Sequence, residues 1–158
     1  MDIKSRNNII TIVLAIIIAV LGWYLYRSLV EPYQAVLEER AMVERERHRM
    51  EVVRDVLVQY KNRRGEFPPT DGGLDSLVAF LNTDSLMVER GDSLFTFMEP
   101  NTYNPDSVIY SPRPPHPRFE YTLNDTIRPE LYLLENPQSE DAIGSLDRTT
   151  MLNAPNWN

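Results

Sequence analysis

Apolar positions fall along this chain in three rhythms, and each predicts a different element. From Ile9 to Tyr26 they are nearly continuous, IITIVLAIIIAVLGWYLY, with no charged side chain. Eighteen residues rising about 1.5 Å each span roughly 27 Å, close to the roughly 30 Å hydrocarbon core of a bilayer. Leu29 and Val30 extend the run, which predicts a transmembrane helix over 9–30. Trp23, Tyr24 and Tyr26 gather at its C-terminal end, where amphipathic rings favour the headgroup layer. A cleaved signal peptide is the competing reading, but its apolar stretch is shorter and ends in small residues, and this one ends in aromatic and branched ones.

The second rhythm has a period of seven. Val36, Val43, Met50 and Leu57 recur in phase with Leu29, and Val53 and Tyr60 add a second row toward the end. No Gly or Pro interrupts the chain between Pro32 and Gly65, so an amphipathic helical arm is expected over 31–64, with Pro32 in its first turn. Earlier in the second row stand Glu39 and Glu46, which narrow the apolar stripe. Val53, Leu57 and Tyr60 are therefore expected to pack on the domain that follows, and Val36, Val43 and Met50 to be interaction residues for another protein or a neighbouring copy. Glu44 with Arg47, Glu46 with Arg49 and Glu51 with Arg54 lie three apart, the spacing of surface ion pairs on a solvated stalk. His48 reads as a solvated residue of the same stretch.

The third rhythm begins at Gly65, placed to end a helix in a left-handed conformation, after which Phe67-Pro68-Pro69 forces an extended exit. Strands are expected around Leu94–Met98, Val108–Tyr110, Phe119–Leu123 and Leu131–Leu134, with turns at Gly91-Asp92 and Asn124-Asp125. Gly73–Leu81 has the pattern of a short amphipathic helix. The fold class is thus α+β: a transmembrane helix continuing into a long amphipathic helix packed on a small antiparallel sheet. Its parts are a leader at 1–8, the span at 9–30, the arm at 31–64 and an α+β domain at 65–158.

Charge sharpens this picture. The net charge is −7, but residues 1–30 carry three basic and one acidic side chain, 31–64 carry eight and seven, and 65–158 carry five and fifteen. Lys4 and Arg6 before the span put the N-terminus in the cytoplasm and residues 31–158 outside it. So acidic a domain repels phosphate backbones, which excludes nucleic acid as a partner. With no Cys in the chain, disulfides, thiolate metal sites and a Cys nucleophile are excluded. Phosphate-loop, paired-His and Gly-x-Ser-x-Gly patterns are missing too, and the expectation is that the chain is not an enzyme. His116 lies in Ser111-Pro112-Arg113-Pro114-Pro115-His116-Pro117, read as a rigid loop of polyproline type. Trp157 near the end is expected to pack on the domain.

Two segments carry a family resemblance. The run Tyr60-Lys61-Asn62-Arg63-Arg64-Gly65-Glu66-Phe67-Pro68-Pro69-Thr70-Asp71-Gly72-Gly73-Leu74-Asp75-Ser76-Leu77-Val78 is followed, near the end, by Phe119-Glu120-Tyr121, Glu130-Leu131-Tyr132-Leu133-Leu134 and Glu140-Asp141-Ala142-Ile143-Gly144. In this order they resemble the major pseudopilin of type II secretion systems, and more loosely other pilin-like proteins, whose apolar helix likewise contains a proline and continues to a tyrosine. The resemblance implies a pilin-like fold in the bacterial inner membrane, with a structural role as subunit or accessory component of a secretion or pilus-like assembly; a non-polymerising single-span scaffold or ligand-binding module of another envelope complex is the alternative. Other membrane or envelope proteins, or further copies of the chain, are the implied partners, and residues 9–30 meet the lipid bilayer. It also implies a calcium site in the C-terminal loop, for which Glu140, Asp141 and Asp147 are the candidate oxygen donors; solvated loop acids are the alternative. Two departures stand out. Ile10 occupies the place of the family's cleavage glycine, and Ala15 that of its intramembrane glutamate.

Overall fold

The computed structural model describes residues 3–157; Met1 and Asp2 of the expected leader, the terminal Asn158, and the side chains of Ile3, Lys4, Ser5 and Glu31 lie outside the described residues. The fold is α+β, with a long N-terminal helix that begins apolar, and a small antiparallel sheet. Helix α1 runs Ile3–Arg64 and passes through Pro32 without a break. Two compact units divide the chain, Met1–Ala41 and Met42–Asn158, and residues 42–64 of the arm thus belong to the same unit as the sheet.

In the first unit the apolar side chains from Ile9 to Leu29 are exposed throughout. Among the described residues, α1 is the one helix long and apolar enough to cross a membrane. Hydrocarbon on every face of a helix has no counterpart in a water-facing surface, whereas lipid accommodates it.

In the second unit α1 contributes one stripe to the core. Met50, Val53, Val56 and Leu57 are fully buried, and Tyr60 packs beside them against Phe80, ring edge to face at 5.4 Å. The helix stops at Gly65, whose φ of 88° suits a residue without Cβ and whose N–H returns to the carbonyl of Lys61 at 2.7 Å. Helix α2, Gly73–Thr83, buries Leu74, Leu77, Phe80 and Leu81 at helical spacing. Helix α3, Ser85–Leu94, starts at Asp84, whose carboxylate accepts the N–H of Leu86.

Strands β1 (Glu120–Asn124), β2 (Leu131–Glu135) and β3 (Ala142–Gly144) form a sheet in sequence order, every pair antiparallel. Central β2 is apolar almost throughout because both its faces are covered; Tyr132 and Leu134 are wholly buried, and Phe67 meets the Tyr132 ring at 5.0 Å. The Tyr121 hydroxyl donates to the carbonyl of Pro68 at 2.9 Å, fixing the exit after Gly65 to the sheet. Beyond β3 the tail returns: Gly144 N–H donates to Ala154 and Asn156 N–H to Ala142, so the tail covers that edge.

Two expected strands are corrected. Leu94 closes α3 and residues 95–98 are irregular, while Val108–Tyr110 follows a 3₁₀ turn, Pro105–Ser107, and holds an isolated bridge, Tyr110 with Arg118. Their apolar character comes from burial of Phe95, Val108 and Ile109 as plugs in the core, which a short apolar run does not distinguish from a strand. Gly91-Asp92 is not a turn but lies inside α3. A Cβ at Gly91 would come within 2.8 Å of the Tyr103 hydroxyl oxygen, so this glycine serves close packing.

Candidate functional site

The charged stretch of α1 is where the structure departs most from the sequence pattern. Glu46 and Arg49 lie on the inward stripe of Met50, Val53 and Leu57, and both are buried. Glu46 accepts from the Ser111 hydroxyl at 3.0 Å, the Asn136 amide at 3.2 Å and the Arg113 guanidinium at 2.8 and 2.9 Å. A buried carboxylate needs such a set of donors to recover the hydration it gives up. Arg47 forms a two-pronged pair with Asp141, each N–O distance 3.0 Å, and that hydrogen bond raises the guanidinium pKa. Among the described residues none of the three i,i+3 pairs expected on a solvated stalk forms: Arg54 turns to Asp55, and Arg47 and Glu46 reach across the domain.

Arg49 is in a different position. Its Nη1 donates to the carbonyl of Ser107 at 2.7 Å, and the guanidinium lies 3.4 Å from the centre of the Phe97 ring. Among the described residues it makes no ion pair, and burial lowers its pKa to about 10. His48 is half-buried and not simply solvated, because its Nε2 donates to the carbonyl of Thr96 at 2.8 Å.

The candidate calcium donors do not converge. Asp141 is held by Arg47, the Asp147 carboxylate accepts from the Ser145 hydroxyl at 2.5 Å, and the carbonyl of Glu140 accepts from Asn156. Among the described residues no group of three or more His, Asp or Glu side chains could hold a metal ion. The loop instead ties the tail to the sheet.

Of the expected interaction residues, Val36 is exposed, together with Tyr33 and Leu37, and Val43 is half-buried. Met50 is corrected: it is fully buried in the core and offers no surface to a partner. Trp157 packs against the core, with the Arg47 guanidinium 5.3 Å from its ring. The Pro-rich loop is a tight turn and not an extended spacer; His116 N–H donates to the carbonyl of Arg113, and the ring Nδ1 donates to that of Ser111 at 3.0 Å. Comparison with protein-family models, curated proteins and solved structures finds no match for the chain.

Proposed function

We propose that this chain is a membrane-anchored, pilin-like structural and interaction protein of the bacterial envelope, an accessory component of a secretion or pilus-like assembly. One observation carries the reading: a single helix, α1, is apolar and exposed over Ile9–Leu29 and later gives its stripe from Met50 to Leu57 to the core of an α+β domain. The order of segments that resembles the major pseudopilin supports it, and the basic residues ahead of the span support an inner-membrane orientation with residues 31–158 outside the cytoplasm.

Accessory is preferred to polymer subunit because of Ile10 and Ala15. A carboxylate inside the bilayer is costly unless it meets a partner group, so an intramembrane glutamate gives neighbouring subunits a register. Ala15 provides none. Intact-mass measurement of the full chain purified from bacterial membranes tests the reading, combined with protease treatment of spheroplasts. The expected result is an uncut N-terminus and a domain open to digestion from outside. A mature chain starting near Thr11 transfers it to the processed pseudopilins, and a domain protected in spheroplasts reverses the orientation.

A further inference from the structure

A cavity of about 290 Å³ opens beside Arg49, lined among others by Asn101, Thr102, Ser107, Ser111 and His116. That volume is near the lower end of small-molecule sites, roughly 300–1,000 Å³, and suits a small group. Its floor holds a buried cation and its rim holds hydroxyl, amide and imidazole groups; no acidic residue lines it. Thr102, Tyr110 and His116 are exposed, so the cavity is reached from solvent.

Arg49 has donors to spare. One goes to the carbonyl of Ser107, and Phe97 covers a face of the guanidinium; no Arg49 nitrogen is among the fully buried atoms without a partner, so those not bonded to Ser107 reach solvent. The nearest acid along the helix stripe, Glu46, spends its oxygens on Ser111, Asn136 and Arg113. A buried cation without a countercharge is costly, and an anion bound at its fork relieves that cost.

The geometry points to a socket for a single carboxylate, bound at the fork of Arg49 inside this cavity. A planar carboxylate matches the guanidinium, and a single negative charge suits a site with one permanent cation. A doubly charged phosphate would leave one charge unmatched beside a single cation, in a domain where residues 65–158 carry fifteen acidic and five basic side chains. The carboxylate has two sources, a free small acid or an Asp or Glu side chain of a partner protein. The site stands independently of the membrane-scaffold reading, since all its residues lie in the unit Met42–Asn158.

The test uses the full chain in detergent micelles with ¹⁵N-labelled arginine, the Arg49 Nε–H signal being assigned by its loss in Arg49→Lys. Sodium acetate is titrated against sodium chloride at equal ionic strength, alongside capped Gly-Glu-Gly and its Gly-Gln-Gly twin. Acetate or the Glu peptide should move the Arg49 signal saturably, with chloride and the Gln peptide inert. Tighter binding of acetate assigns a free acid, and tighter binding of the peptide assigns a side chain. Thr102→Trp, at an exposed position on the mouth, should weaken binding at least about tenfold while Arg49 stays in place. Acetate should also raise the unfolding temperature over chloride, and Arg49→Lys should abolish that rise. The proposal falls if chloride moves the signal equally, if neither probe moves it, or if Thr102→Trp leaves acetate binding unchanged.

Discussion

Glu46 and Arg113, 67 residues apart in sequence, meet with the guanidinium Nη2 2.8 Å from a carboxylate oxygen on the inward face of α1. The carboxylate is buried, with a side chain 3% exposed, while that of Arg113 is 26% exposed. Removing Glu46 strands the donors of Ser111 and Asn136 as well, whereas Arg113 can turn to water. Glu46→Ala should therefore cost about 3 kcal/mol, the lower part of the range for breaking a buried pair. Denaturant unfolding of the domain measures it. Glu46→Gln, which keeps one acceptor, should cost less, and equal losses for the two would show that charge and not acceptor count governs the site.

Gly65 and Gly144 share a positive φ, 88° and 89°, yet their surroundings differ. Nothing lies within 4 Å of a Cβ added at Gly65, but at Gly144 it would overlap the carbonyl oxygen of Tyr132. Gly65→Ala should cost only the left-handed backbone penalty, about 1–2 kcal/mol. Gly144→Ala has to move β3 off central β2, and should lower stability well beyond that. Similar unfolding midpoints for the two variants would contradict the register of β2 with β3.

Acid should loosen the start of α3. Asp84 accepts from the Arg63 guanidinium at 2.9 Å, and that bond, opposed by desolvation and helped by the N–H of Leu86, lowers its pKa below 3.8. A carboxylate depressed in the folded state stabilises it above the unfolded pKa, and the contribution is lost as pH falls through the folded value. Asp84→Asn keeps a capping oxygen but loses the charge, so it should flatten the fall in stability below about pH 4. An unchanged acid limb would mean that the Arg63 contact is screened away.

A chain beginning at Glu31 should be soluble and fold, because the buried stripe starts at Glu46 and every sheet contact lies C-terminal to it. Near-ultraviolet dichroism and hydrophobic-dye binding check this. Strong dye binding with no aromatic signal would show that the domain core needs the N-terminal unit.

What could be read from the sequence was local. The period of Val53, Leu57 and Tyr60, the stop at Gly65 and the apolar run of β2 each carry their signal within a few residues. Glu46 could not be read in this way, since its burial depends on Ser111 and Asn136, 65 and 90 residues further on. A hint existed: Glu46 stands four before Met50 and seven before Val53, on the stripe itself. A charged side chain on a helix ordinarily signals exposure, and the i,i+3 arginines are its obvious but incorrect partners. Gly91 misled in the opposite sense, because Gly-Asp signals a turn locally while the need for glycine comes from Tyr103. Strand β3, three residues long, is too short for any alternation to show.

The final prediction separates the two ends of the arm. Leu57 is fully buried, so Leu57→Ala should cost about 2–5 kcal/mol, a large share of the roughly 5–15 kcal/mol that holds a domain together. Val36 is 48% exposed and lies in the other compact unit, so Val36→Asp should change the domain's unfolding by less than about 0.5 kcal/mol. If Val36 with Tyr33 and Leu37 meets neighbouring copies, Val36→Cys in this cysteine-free chain should form disulfide dimers in oxidised membranes, and Val36→Asp should reduce self-association without touching the fold. Dimers absent from Val36→Cys membranes would assign that exposed stripe to a different envelope protein. A loss for Val36→Asp as large as that for Leu57→Ala would mean that the arm is buried within its own chain, and the interaction reading would lose its surface.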